Sequence, residues 1–413
     1  MKILAIGDSA NNIFLLKKYC KNVDIHIIDF PRKGVTKFTT SKNDIEFFDS
    51  LLISKQVEKI RKIKNDYDLC IALPWAGARI AYLAGVNYVM YFVGSDIVVP
   101  PFKKKSKYEY LDYYEHNHNF FIRKFYKKIF ERAITVISGA YFPILQEYRD
   151  DAIRLDRSFI DTDLFNENIK PIKMEHNKFK ILSAQRFGLE KGFDIIWEAL
   201  NHCKTDFDFL QVKWFIGHTT TEDFEDVDDE NKKLLRKIPK QVKFIPLIKR
   251  EELGQYFKAS DLVMGQMRTG IQGAIEREAA YCKKPVICYT NPKEKVVIND
   301  EEIIPPFLPQ SNDPIELAKI IDLVVESKEF RENLINKEFE YVKKLCDPES
   351  VSYEWEKIFN VSIKKPKASR KYTVYEKIQN YIILKFEKFY IKKLEETNFK
   401  VWGKEQYQKL TKT

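Results

Sequence analysis

Phe179-Lys-Ile-Leu-Ser183-Ala-Gln-Arg186-Phe-Gly-Leu-Glu-Lys191-Gly192-Phe-Asp194 is the stretch whose reading decides the fold. Phe179–Ser183 is an apolar run of strand length, and Phe193, Ile196 and Leu200 recur at helical spacing beyond Gly192. Strand, turn and helix therefore follow in that order. Arg186 and Lys191, five apart, bring two cations to the start of the helix. Free N–H groups and the helix dipole add to those charges, so the turn reads as an anion site. A solvated turn with ordinary surface cations is the competing account.

The same unit repeats in both directions. Upstream, Lys2–Ile6, Val23–Ile28, Leu69–Leu73, Tyr88–Phe92 and Ala133–Ile137 are short apolar runs, with a late strand at Asp151–Leu155. Amphipathic stretches separate the early runs, and turns at Gly7-Asp8-Ser9, Pro74-Trp75 and Gly94-Ser95-Asp96 close three of them. Downstream, Leu210–Ile216 ends at Gly217, and Val242–Ile245, Leu262–Met264 and Val286–Tyr289 follow. Short apolar strands alternating with helices predict two successive α/β domains with Rossmann-like parallel sheets. The expected division is 1–165, 166–345 and a helical extension over 346–413 that returns to the first domain. Ligands of such sheets bind beyond the carboxyl ends of the strands, so the loops at Gly7, Pro74, Gly94, Ser138, Arg186, Gly217 and Gln266 are expected to face a common cleft.

A second informative stretch is Gly265-Gln-Met-Arg-Thr-Gly270-Ile271-Gln272-Gly273-Ala-Ile-Glu276-Arg-Glu278-Ala-Ala-Tyr-Cys-Lys-Lys-Pro285-Val286-Ile287. A strand ends in a loop with glycines, and a helix with an acidic first turn leads to a Pro-led strand. Gly270 and Gly273 let backbone approach a ligand and present N–H groups to phosphate. Glu278 is placed to accept from both hydroxyls of a ribose. The plainer account of Glu276 and Glu278 is acid favoured by the helix dipole.

On these residues the chain resembles the group 1 (family 4) glycosyltransferases, whose GT-B fold sets two Rossmann-like domains across a cleft. Arg186-x4-Lys191-Gly192 is similar to the family's R-x4-K-G, which implies that Arg186 and Lys191 hold the donor diphosphate. Glu278-Ala279 followed by Pro285-Val286-Ile287 resembles the family's E-A and P-V-[VI] segment, which implies that Glu278 is the ribose-binding second glutamate of E-x7-E. Gly94-Ser95-Asp96 resembles the family's H-G-S-D, and Asp161-Thr-Asp163-Leu-Phe165 its interdomain linker. Two departures stand out: Gly270 replaces the first glutamate of E-x7-E, and Val93 replaces the histidine. The resemblance implies retaining, metal-independent transfer from a nucleoside-diphosphate sugar to a glycan or lipid-linked acceptor, with no other cofactor. Asp96 is the candidate for orienting acceptor or sugar, with a helix N-cap as its plainer role. A sugar-nucleotide epimerase or phosphorylase of the same fold, or a non-catalytic binding relative, is the alternative.

The 413 residues carry 70 Lys+Arg against 60 Asp+Glu, a formal charge of +10. Fourteen basic and five acidic residues lie in Val361–Thr413, so the body is nearly neutral. Lys103–Arg132 is a second basic, aromatic segment and a second candidate to face a membrane. Within the tail Tyr375, Ile378, Ile382, Phe386 and Phe389 recur at helical steps among lysines. That apolar stripe is expected to pack back on the first domain with lysines outward, or to rest on an anionic membrane. Concentrated charge without a recognised module argues against nucleic acid. Asp161-x-Asp163 and Asp226-x-Asp228 read as linker and acidic loop, and the six cysteines lack zinc spacing. With no long apolar run, the expectation is a cytoplasmic protein, peripheral on a membrane if attached.

Overall fold

The computed structural model describes the chain apart from residues 31–43, 99, 104–119, 176, 216–226, 228, 366–371 and 386–413. The described residues divide into two compact units. One holds residues 1–159 together with residues 348–385, and the other is Ile160–Asp347. The division falls six residues before the expected position because Ile160 and Phe165 are buried in the core of the second unit.

The first unit contains a seven-stranded sheet. Its strands are β1 (Lys2–Ile6), β2 (Asp24–Asp29), β3 (Glu46–Phe47), β4 (Leu69–Ala72), β5 (Tyr88–Phe92), β6 (Thr135–Ser138) and β7 (Ile153–Arg154). They run parallel in the order β3-β2-β1-β4-β5-β6-β7. Ile3 and Ala5 of β1 enter one core while Leu4 and Ile6 enter another. Both faces of the strand are therefore covered, which is why it reads as a continuous apolar run. The coverings include α1 (Asn12–Tyr19), α2 (Ile53–Ile63), α3 (Ala76–Ala84), α4 (Phe120–Arg132) and α5 (Phe142–Gln146). α2 had no sequence expectation, since its charges mask the buried Ile53, Val57 and Ile60.

The second unit is built on a five-stranded parallel sheet of order β10-β9-β8-β11-β12. Along the chain come β8 (Phe179–Ser183), α6 (Phe193–His202), β9 (Phe207–Val212), α7 (Asp229–Leu235), β10 (Val242–Ile245), α8 (Arg250–Ala259), β11 (Leu262–Met264), α9 (Ala274–Tyr281) and β12 (Val286–Ile287). An antiparallel hairpin, β13 (Val296–Ile298) and β14 (Glu301–Ile303), precedes α10 (Pro314–Glu326) and α11 (Lys328–Leu345). β9 begins earlier than the apolar run Leu210–Ile216 suggested. Phe207 and Phe209 fill one core and Leu210 and Val212 the other, while Asp208 between them is neutralised by Lys243 at 2.8 Å.

α12 (Pro348–Lys364) returns to the first unit, burying Val351, Trp355, Ile358 and Phe359 beside β1 residues. α13 (Val374–Lys385) follows with its expected polarity inverted. Glu376, Asn380 and Ile383 are buried, whereas Tyr375 and Ile378 of the predicted apolar stripe are exposed. Ionic partners cause the inversion: Lys128 reaches Glu376 at 3.0 Å and Arg132 at 2.7 Å. Phe386 and Phe389 lie outside the described residues.

Candidate active site

In the second unit the β8–α6 loop carries Arg186 and Lys191. Phe187 anchors it through a 2.8 Å hydrogen bond from its N–H to the Trp214 carbonyl, and its ring is fully buried. Gly192 takes a left-handed φ of 79° and a Cβ there would lie 2.9 Å from Met267. Close approach by the β11–α9 loop thus requires this glycine. The Met267 N–H donates to the Lys191 carbonyl at 2.9 Å. Arg268 adds a 3.1 Å bond to the Leu189 carbonyl and an ion pair with Asp194. The two motifs singled out in the sequence are therefore stitched into one wall.

Lys191 is half-buried, and among the described residues its ammonium has no hydrogen-bond acceptor. Burial holds its pKa below the ordinary 10.5, and neighbouring Arg186 pushes the same way against Glu276 and Glu190. Arg186 is braced by Glu190, with Nε 3.3 Å from Oε1. A partly desolvated ammonium beside a guanidinium, at the entrance to a helix, suits a multiply charged anion.

The β11–α9 loop itself is held by side chains to which the motifs gave no ligand role. The Gln266 side chain accepts from the N–H groups of Arg268 at 3.0 Å and Thr269 at 2.8 Å, and donates to the Ile271 carbonyl at 2.8 Å. Glu276 is buried and accepts from the N–H of Gln266 at 2.8 Å and of Gly273 at 2.9 Å. It is the N3 carboxylate of a half capping box, a role visible in the Gly273-x-x-Glu276 spacing. Gln272 donates to Thr290 Oγ1 at 2.8 Å. Gly270 has φ +70°, and a Cβ would lie 2.5 Å from Asn291 Cβ. Packing against Asn291 therefore explains glycine where the family carries glutamate. Glu278 lies on a different face of α9, buried, with both oxygens on Arg250 of α8. Gly217 lies outside the described residues.

In the first unit, Gly7 has φ +85°, and a Cβ there would lie 3.0 Å from Leu73 Cβ. Asp8 is buried and caps α1, accepting from the N–H groups of Ile13 at 2.9 Å and Phe14 at 3.1 Å. Trp75 lies edge-on to Phe92, Phe102 and Tyr126 and donates Nε1–H to the Asp96 carbonyl at 3.2 Å. The Asp96 carboxylate turns onto its own loop, accepting from Gly94 at 3.0 Å and Val93 at 3.3 Å. Burial raises its pKa and these N–H groups oppose the rise. Ser95 belongs to the short helical turn Ser95–Ile97 beside it.

Among the described residues no three His, Cys, Asp or Glu side chains converge as metal ligands. Asp161 accepts from its own turn, from the Asp163 N–H at 3.3 Å, and Asp226-x-Asp228 falls outside the described residues. No described helix is long and apolar enough to cross a membrane.

Two Rossmann-like parallel-sheet units define the GT-B fold, and the second carries the cationic loop of Arg186 and Lys191 ahead of α6. Residues 165–340, nearly all of the second unit, match the family model for glycosyl transferases group 1, and the resemblance read in the motifs is to that family. No curated protein matches the sequence. Solved structures similar in fold include Anabaena HepE in complex with UDP and glucose, at 17% identity and TM-score 0.62, covering 87% of this chain and 100% of that one. Sucrose-phosphate synthase from Thermosynechococcus elongatus is similar at 15% identity and TM-score 0.63, covering 87% and 99%. A glycosyltransferase from Rickettsia africae is similar at 16% and 0.61, covering 88% and 99%.

Proposed function

We propose that the protein transfers a sugar from a nucleoside-diphosphate sugar to a glycan or lipid-linked acceptor, with retention of configuration. The observation that carries this reading is Lys191, a partly buried ammonium beside Arg186 at the start of α6, with no hydrogen-bond acceptor among the described residues. As the glycosidic bond to the donor breaks, positive charge grows at the anomeric carbon and negative charge on the departing diphosphate. Arg186 and Lys191 are placed to stabilise that leaving group, a contribution of ~3–4 kcal/mol per well-placed donor. Their charge takes the place of a metal, and chelator is expected to leave the rate unchanged.

Gln266 and Glu276 hold the β11–α9 loop so that Gly270, Ile271, Gln272 and Gly273 approach the donor with backbone instead of a carboxylate. Glu278 keeps a lone pair on each oxygen beyond its bonds to Arg250, and these are assigned to the ribose hydroxyls. In the first unit Gly7, Asp8, Trp75, Ser95 and Asp96 form the acceptor side, with Asp96 fixing the loop after β5. The acceptor oxygen attacks on the face that the diphosphate leaves, so no protein nucleophile is invoked. UDP-sugars are the first donors to test, because HepE was solved with UDP and glucose.

Incubation with a panel of nucleotide sugars tests the reading. Acceptor-dependent release of nucleoside diphosphate supports transfer. Acceptor-independent interconversion of sugars would establish an epimerase of this fold, and binding without turnover a non-catalytic relative.

A further inference from the structure

α13 exposes apolar side chains where a surface helix ordinarily shows polar ones. Val374, Tyr375, Ile378 and Tyr381 are between 46 and 74% exposed, while Glu376 and Asn380 face inward. The ion pairs of Glu376 with Lys128 and Arg132 fix this orientation, so the apolar face is not free to roll inward. Alongside, α4 begins with Phe120 and Phe121, each more than 60% exposed. Lys124 joins the helices, its ammonium 5.3 Å from the Tyr375 ring centroid and 6.0 Å from that of Phe120. Aromatic and aliphatic side chains thus form one patch on the first unit.

Among the described residues its charge is one-sided. Along α13 the stripe Val374, Ile378, Tyr381 ends at Lys385, whose ammonium lies 5.5 Å from the Tyr381 ring centroid. Along α4, Phe120 is followed at helical steps by Lys124 and Lys127, both exposed. Of the acids on the two helices, Glu376 is buried and Glu131 is 3.8 Å from Lys127 at the far end of α4. Lysines with apolar stems lying over exposed rings match the acyl–headgroup boundary of an anionic bilayer, where rings enter the interface and ammonium groups reach phosphate. We propose that the Phe120–Phe121 end of α4 and the outer face of α13 together form a docking surface for anionic membranes. The proposal does not depend on the reaction catalysed.

The test is co-sedimentation of the full chain with phosphatidylcholine vesicles, with and without phosphatidylglycerol, at low and high salt. Binding is expected with phosphatidylglycerol vesicles and to weaken with salt. Lys124→Glu and Lys385→Glu, on exposed side chains that leave the fold intact, should each lower affinity about five-fold or more. Phe120→Ser with Tyr375→Ser and Ile378→Ser should lower it by roughly ten-fold per side chain. Nucleoside diphosphate binding, a property of the second unit, should stay unchanged in all of them. The proposal is overturned if wild type ignores anionic vesicles, if neutral vesicles bind equally well, or if the variants bind like wild type. A wild-type dimer split by these substitutions, without vesicle binding, would instead identify the patch as a self-association surface.

Discussion

Arg250 and Glu278 meet end on in the second unit, two guanidinium nitrogens on two carboxylate oxygens, with Nη1 to Oε2 at 2.6 Å. Both are buried, and the guanidinium carbon lies 4.5 Å from the Phe165 ring centroid. Removing either partner strands a buried charge, which costs about 3–5 kcal/mol. Arg250→Ala and Glu278→Ala are therefore expected to be destabilised alike in urea unfolding. Nucleotide titration by calorimetry separates their further roles. Glu278→Ala should lose more affinity than Arg250→Ala, because only the glutamate is assigned to the ribose; equal losses would confine it to joining α8 and α9.

For Lys191 the pH dependence has a definite sign. Burial and Arg186 hold its pKa below 10.5, and only the ammonium form binds diphosphate favourably. Nucleotide affinity is therefore full at pH values below the lowered pKa and falls as pH rises through it, before ordinary lysines titrate. Binding should also take up protons at alkaline pH, seen as a dependence of calorimetric heat on buffer. Lys191→Ala and Arg186→Ala should each reduce turnover by about a hundred-fold or more, and Lys191→Ala should remove the alkaline limb. Retention of that limb would place the titrating group elsewhere.

How much of this was legible in the sequence depends on the kind of contact. Period-2 burial on both faces left β1, β5 and β8 visible as apolar runs, and the spacing of Arg186 and Lys191 marked the loop now proposed to bind diphosphate. β9 was misplaced because Asp208 interrupts its run, and its neutralising Lys243 comes from another strand. Glu276 reads in the sequence as dipole-favoured acid, since nothing local shows the Gln266 N–H from which it accepts. The outward face of α13 was hidden most fully. Hydrophobic periodicity predicts which residues share a face but not which face docks, and here Lys128 and Arg132, some 240 residues away in sequence, decide it.

Gly270 carries a prediction about the missing carboxylate. Its φ of +70° costs an L-residue about 1–2 kcal/mol, and a Cβ would press on Asn291 Cβ at 2.5 Å and N at 2.8 Å. Gly270→Ala should lower the thermal midpoint and weaken nucleotide binding by moving the loop that Gln266 organises. Gly270→Glu, which recreates the family's E-x7-E, should be less active than wild type. A gain in turnover would show that the loop relaxes to accept the side chain and that glycine here limits catalysis.

Glu376 makes the docking of α13 sensitive to acid. Burial alone would raise its pKa, but the Thr373 N–H, Lys128, Arg132 and the Thr373 hydroxyl outweigh it and bring the value to about 2 from the ordinary 4.5. A depressed carboxylate stabilises the folded state fully above its unfolded pKa and loses that contribution as pH falls through the folded one. The relevant window runs from 4.5 down to about 2, and the linkage amounts to roughly 3 kcal/mol. At neutral pH, Glu376→Gln should therefore open α13 faster in amide hydrogen exchange than wild type, with α12 protected equally in both. As pH falls through that window wild type should converge on the variant. A difference between them that persists at the acid end would show that the glutamine disturbs packing and that the ion pairs do not hold the helix.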